Sequence, residues 1–365
     1  MNKAQNTFLT PSQLTFTLVS LFIGVDFLYL PNTILKVAKQ DSWISCIFGA
    51  IYPIYILIIA NYLCKKFPKD NILKLSRKCF GNFCGRILNF IFISFFLFIV
   101  TTELSGFSYA FRVYSTPFLK DYQVFLVALL PITYICYKGI KPLGRLNEVG
   151  FWLTMPFIVL LLLPALKDGH LSNLMPVFGS GLTNIAIGSM KMTYSYSGME
   201  ILVLIYPFLK NKKKLLKCSI VSVAITVFIY TFIVFITIFY LGIETSPTFL
   251  WPVLSLSDSI NIPIINSFRF VFITIWAFLV FKCIATYYFA VSYGLNQLIK
   301  KISAETFAVL LYPLIIFISF LYKNQSIRES YVSKIIPVYV IFNIIFISTI
   351  ALLIHFKRGD KIEKI

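Results

Sequence analysis

Two short patterns place an acid two residues after a glycine inside otherwise apolar runs: Gly24-Val25-Asp26, followed by Pro31, and Gly198-Met199-Glu200, followed by Pro207. A carboxylate inside a bilayer costs at least ~2.5 kcal/mol on insertion scales, so its default reading is functional. Glycine loosens the backbone and proline deletes a helical donor: Pro31 leaves the Phe27 carbonyl, and Pro207 the Val203 carbonyl, without an N–H four residues on. A bilayer core offers no water to such groups, so both breaks must be buried in protein or line a cavity. The chemistry available there is binding. Half-helix N-terminal amides suit a carboxylate, while freed carbonyls with Asp26 or Glu200 suit an ammonium. Ser197-Gly198-Met199-Glu200 reads as S-x-x-E, a capping box that would start a new half-helix at Gly198. Candidate ligand-binding residues are therefore Gly24, Val25, Asp26 and Phe27 at the first break, Tyr194, Ser195, Ser197, Gly198 and Glu200 at the second, and Glu103 on another apolar run.

Each charge also has a plainer reading. Asp26 can be a helix N-cap and nothing more, and Glu200 can serve only the capping box. Glu103 has no break around it and can pair with Lys191 or Lys282, which makes those lysines structural counter-ions. Arg269 lies near the end of its run and is expected to snorkel to the interface.

The elements that position these residues are membrane spans. The 365 residues are 58% hydrophobic and 13% charged, with a mean hydropathy of +0.84, far from soluble-domain usage. At roughly 20 apolar residues per crossing, spans are expected at 14–35, 43–63, 87–111, 124–137, 151–166, 182–209, 215–241, 264–295, 306–321 and 335–355. The expected fold is thus an all-α integral membrane protein of ten transmembrane helices, one polytopic domain over 1–365. Five helices per half run the first and sixth spans in opposite directions, as a 5+5 inverted repeat requires, with repeats near 12–167 and 182–356. The first span carries Pro31 and Asn32 rather than a small-residue cleavage site, so it does not read as a signal peptide.

A net charge of +19 could suggest nucleic acid, but its distribution follows the loops. With the N-terminus taken as cytoplasmic, 22 of the 33 Lys and Arg fall in inside segments, eight outside, Arg328 among them, and three within spans. This positive-inside bias places both termini in the cytoplasm and needs anionic lipid as its only partner. The seven cysteines are scattered through spans and cytoplasmic loops, which gives no disulfide framework. His170 and His355 stand apart without metal-ligand spacing, and no phosphate-binding loop or Ser/His/Asp set is present. Neither an enzyme nor a cofactor is expected. Among the loops, 71–80 has basic helical spacing and is expected along the membrane surface. The stretch KGIKPLGRLNE (138–148) is expected as a turn, and 244–263 as a solvent-facing stretch with an interfacial lid around Trp251.

Several motifs along nearly the whole chain resemble the spore germination permeases, the B-type subunits of nutrient germinant receptors within the amino acid/polyamine/organocation transporter superfamily. They are GVDFLYLP (24–31) followed by Asp41-Ser42-Trp43, KGIKPLGRLNE (138–148), NLMPVFGSG (173–181), SGMEILVLIYPF (197–208) and WPVLSLSDSINIP (251–263). The resemblance implies a LeuT-like fold with helices 1 and 6 broken, in the inner membrane of a bacterial spore. It also implies an A subunit and a lipoprotein C subunit as partners, and a small germinant, commonly an amino acid, bound between the broken helices. One departure stands out. Where relatives carry an acid–base–x–acid cluster after Ile262-Pro263, this chain reads Asn266-Ser267-Phe268-Arg269, which removes that charge pairing from expectation. The alternatives are a proton- or sodium-coupled amino acid transporter, with Glu103 or Glu200 carrying the proton, and a ligand-opened pore.

Overall fold

In an apolar layer each backbone N–H must find its carbonyl within the same segment, so apolar runs of this length fold as helices. The computed structural model describes residues 8–260 and 268–356. The first run is split into α1 (Pro11–Ser20) and α2 (Leu30–Ala38), and the second into α3 (Ser42–Gly49) and α4 (Ile51–Lys66). A short α5 (Ile72–Phe80) precedes α6 (Asn82–Tyr114), α7 (Asp121–Tyr137), α8 (Ile140–Leu160) and its continuation α9 (Leu162–Asp168). The sixth run is split again, into α10 (Leu182–Ser195) and α11 (Ile201–Ile205). Then follow α12 (Leu215–Thr245), α13 (Pro252–Asp258), α14 (Phe268–Leu298), α15 (Ala304–Ser319) and α16 (Gln325–Phe356). Among the described residues, six stretches are long and apolar enough to cross a membrane, and α7 and α15 are shorter but apolar. With the two split runs, the set is consistent with ten crossings.

Packing explains why the split runs stay in place. The central α14 lies against α6, α7, α8 and α15, while α1 is held by α8 and α12, and α10 by α2 and α3. Each split run therefore rests on a helix from the other half of the chain. Two further ties reinforce this. The Asp41 carboxylate, fully buried, accepts from the amides of Phe178 (2.8 Å) and Ser180 (2.9 Å) and from the Ser180 hydroxyl (2.7 Å), joining the 41–43 turn to NLMPVFGSG. Leu9 forms an isolated parallel bridge with Leu209: its N–H donates to the Phe208 carbonyl at 2.8 Å, and its carbonyl accepts from Lys210 at 3.0 Å.

Several expectations change. KGIKPLGRLNE is not a turn: only Gly139 (φ 91°) turns, and α8 starts at Ile140. Pro142 sits in the first helical turn, where its missing N–H has no intrahelical partner to lose. The last helix begins at Gln325 rather than 335, which takes Arg328 out of a loop and buries it, 1% exposed. Of the 244–260 region, 244–250 is mostly exposed, as expected, but the segment after it is packed: Trp251 is 2% exposed against the rings of Tyr109 and Tyr114, and Val253, Leu254 and Leu256 are buried. Arg269 does not simply snorkel. Its Nε lies 3.8 Å from Asp258, and its guanidinium covers Phe270. Helix α5 forms as the spacing predicts, capped by the Asn71 side chain on the Lys74 amide (3.1 Å), with its apolar face packed on α6. Residues 261–263, the 264–267 start of the eighth expected span, with Asn266 and Ser267, and the lysines and arginine beyond 356 lie outside the described residues.

Candidate functional site

Between α1 and α2 the chain leaves the helix after Leu21 and re-forms a single 3-10 turn over Val25–Leu28. The break lies before Pro31, which occupies the first turn of α2. The amide of Val25 donates to Glu103 Oε2 on α6 at 2.7 Å. Gly24 has to be glycine here, because a Cβ would strike that same carboxylate. Asp26 does not cap: no side-chain capping bond forms, and its Oδ1 instead accepts from the Tyr29 hydroxyl and lies 3.4 Å from Arg328 Nη2.

The second break departs from the capping box. Ser197 Oγ donates back to the Tyr194 carbonyl at 2.7 Å. Helix α11 starts only at Ile201, with no side-chain cap at Glu200. Glu200 Oε2 accepts the Gly198 amide at 2.6 Å, and its Oε1 accepts the Tyr52 hydroxyl and Asn343 Nδ2 at 3.0 Å. A fully buried carboxylate with three donors is satisfied within the protein. Glu200 therefore shapes the break from behind.

Two tyrosines lace the breaks together. Tyr230 of α12 lies 2.5 Å from the Phe22 carbonyl and 3.2 Å from that of Ser195. Tyr287 of α14 lies 3.2 Å from both the Leu21 and the Ser197 carbonyls. Gly198, at φ +119°, admits the Tyr287 ring, whose hydroxyl occupies the space a Cβ would need.

A cavity of about 40 Å³ opens where these groups meet. Of the expected residues, Gly24, Asp26, Glu103, Tyr194, Ser195 and Ser197 line it; Val25, Phe27, Gly198 and Glu200 do not. Sequence reasoning missed Tyr230, Cys283, Tyr287 and Arg328. Asp26, Tyr194 and Ser195 also border a vestibule of about 690 Å³ with Lys36, Lys191 and Glu329. That vestibule lies at the end of the bundle poor in basic residues. Glu103 pairs with neither lysine. Its partner is Arg328, at 3.8 Å, whose Nε donates to the Thr102 carbonyl at 2.7 Å. Lys282 is 2% exposed, with its ammonium 5.7 Å from the Phe278 ring centroid, and forms no ion pair among the described residues. Asp26 and Glu103 both face Arg328 at the cavity wall. No group of three or more His, Cys, Asp or Glu converges as a metal site among the described residues.

Residues 8–328 match the family described as "Spore germination protein". Among curated proteins, the chain is 26% identical over 321 residues to spore germination protein YndE of Bacillus subtilis (strain 168), covering 87% of this chain and 88% of that one. It is 24% identical to spore germination protein GerQB of Bacillus cereus, covering 79% of each. Among solved structures, it is similar in fold to Mhp1, a nucleobase-cation-symport-1 family transporter in a closed conformation with bromovinylhydantoin bound (TM-score 0.65, 13% identity, 91% of this chain and 77% of that one). It is equally similar to a Na⁺-coupled sialic acid symporter in a substrate-bound outward-open state (TM-score 0.65, 12% identity, 96% and 79%).

Proposed function

The chain belongs to the spore germination protein family, and from that premise we propose that it is the germinant-sensing subunit of a spore nutrient receptor, binding a small amino acid to trigger germination. The observation that carries this reading is the 40 Å³ cavity at the meeting of both breaks, continuous in its lining with the 690 Å³ vestibule. The cavity has room for about one water, enough for the leading polar group of a small ligand whose remainder would extend into the vestibule. Each tyrosine hydroxyl carries one proton but faces two carbonyls, so at each pair one carbonyl is left as an acceptor. Those acceptors and Asp26 suit an ammonium.

Binding would favour one arrangement of the helices over another by differential affinity alone, and A and C subunits would receive that change. The loop charges support cytoplasmic termini, with the vestibule on the opposite side, and membership of the family supports a place in the spore inner membrane. The halves 12–167 and 182–356 would be the two repeats. One observation favours a second reading, a proton- or sodium-coupled amino acid transporter: the likeness in fold to two symporters.

Proteoliposomes holding this chain alone separate the two. Labelled amino acid bound at equilibrium without accumulation, with or without proton and sodium gradients, is the result expected of a sensing subunit. Gradient-dependent accumulation would replace that reading with the transporter. Absence of binding by the purified chain with A and C subunits present would overturn the amino-acid site.

A further inference from the structure

We propose that Arg328 is the carboxylate anchor of the cavity, and that the ligand class is a zwitterionic α-amino acid with a free carboxylate. This deepens, and rests on, the reading of the cavity as an amino-acid site. Two of the break amides that could receive a ligand carboxylate are engaged. The Val25 amide is bound by Glu103 at 2.7 Å, and the Gly198 amide by Glu200 at 2.6 Å. Each break has thus turned one donor toward the protein's own acids, and a charged donor at the cavity wall is the stronger partner for an incoming carboxylate.

Arg328 supplies one. Its side chain is 1% exposed and lines the cavity. Nε is committed to the Thr102 carbonyl, and Nη2 faces Asp26 and Glu103. Nη1, buried, has no hydrogen-bond partner among the described residues. A guanidinium carries two N–H groups on each Nη and cannot shed its charge, so a buried orphan Nη1 is costly until an acceptor arrives. The group is also held in place. It lies on Gly106, where a Cβ would come within 2.6 Å of Cζ, and Tyr29, bonded to Asp26, borders it. Its bonds and its bed fix the direction of the free arm before ligand enters, the condition for a specific charge-assisted hydrogen bond.

The local charge selects the rest of the ligand. Two acids already face Arg328, so a lone carboxylate would enter beside Asp26 and Glu103 with no cation of its own. A lone amine would leave Nη1 empty. An α-amino acid satisfies both conditions: its carboxylate takes Nη1, and its ammonium lies among Asp26 and the carbonyls of the two breaks.

Calorimetry on the purified full chain in lipid nanodiscs tests this with glycine, L-alanine, L-serine and L-valine, each beside its carboxamide and its decarboxylated amine. The expected result is that the acids which bind do so roughly 10- to 100-fold more tightly than their amides and amines, the range for a lost charged hydrogen bond. Arg328→Lys keeps a cation between Asp26 and Glu103 but removes the free arm, and is expected to erase that preference. Amides or amines that bind wild type as tightly as the acids would overturn the anchor assignment and leave the cavity a ligand site, a comparison that needs no variant to fold. Retained preference in folded Arg328→Lys would do the same. Wild type that binds none of the compounds would overturn both the anchor and the amino-acid site beneath it.

Discussion

Gly198→Ala is expected to be among the most damaging single-methyl additions in this chain. At φ +119° a residue with a Cβ is strained by about 1–3 kcal/mol. The new methyl would also meet the Tyr287 hydroxyl and come within 3.0 Å of its Cζ, so the ring must move. Its bonds to the Leu21 and Ser197 carbonyls would go with it, worth about 1 kcal/mol net. The sum is about 2–4 kcal/mol. Gly181→Ala provides the control, because Gly181 has φ +83° and nothing within 4 Å of its Cβ position; strain alone should cost about 1–2 kcal/mol there. Unfolding of the detergent-solubilised protein by denaturant gives both values. A Tyr287→Phe background removes the obstructing oxygen, though the ring carbon at 3.0 Å remains, and in it the cost of Gly198→Ala is expected to fall toward that of Gly181→Ala, a coupling of about 1–2 kcal/mol. Equal costs for the two glycines in wild type, or strict additivity with Tyr287→Phe, would refute the idea that Tyr287 is built into the second break.

Glu200→Gln is expected to destabilise by about 1–3 kcal/mol, since one of its three donors must face an amide N–H₂, while ligand affinity changes less than the fold does; lost affinity at unchanged stability would return Glu200 to the cavity. Glu103→Gln leaves Asp26 opposite buried Arg328 but disturbs the acceptor of the Val25 amide, and should cost about 1–3 kcal/mol. Asp258→Asn, at the half-exposed pair with Arg269, should cost only about 0–1 kcal/mol, and a reversed order would contradict the burial assigned to each pair. Asp41→Ala strands the Phe178 and Ser180 amides, with an expected loss of about 1–3 kcal/mol and faster proteolysis at 173–181.

What could be read in the sequence was whatever chemistry is local. Gly-x-acid followed by proline marks a break because each of those residues acts on its own backbone, and both breaks formed within a few residues of that pattern. The capping box failed for a reason equally local but invisible in a string. With Gly198 at positive φ, the Glu200 carboxylate reaches the Gly198 amide instead of that of Ser197. Arg328 was out of reach for a different reason. It lies 302 residues from Asp26, and the first turns of α16, QSIRESYVSK, are polar enough to pass for a loop. Their burial comes from α6, whose Gly106 leaves room for the guanidinium, and no hydropathy window records that. KGIKPLGRLNE misled in the opposite sense, its proline and glycines suggesting a turn where Pro142 opens a helix and Gly144 lets that helix lie against Gln13.

The bridge between Leu9 and Leu209 carries a consequence for how long a ligand stays. It clips the beginning of the first broken run to the end of the sixth at the lysine-rich end. The two segments can part only when both backbone hydrogen bonds have opened. If a ligand's way out at that end runs between them, a chain that keeps the clip shut would act as a dead-end receptacle, its occupancy following the concentration outside the vestibule. For the sensing role proposed above that would be an advantage: the signal would measure how much nutrient is present rather than how fast it is consumed.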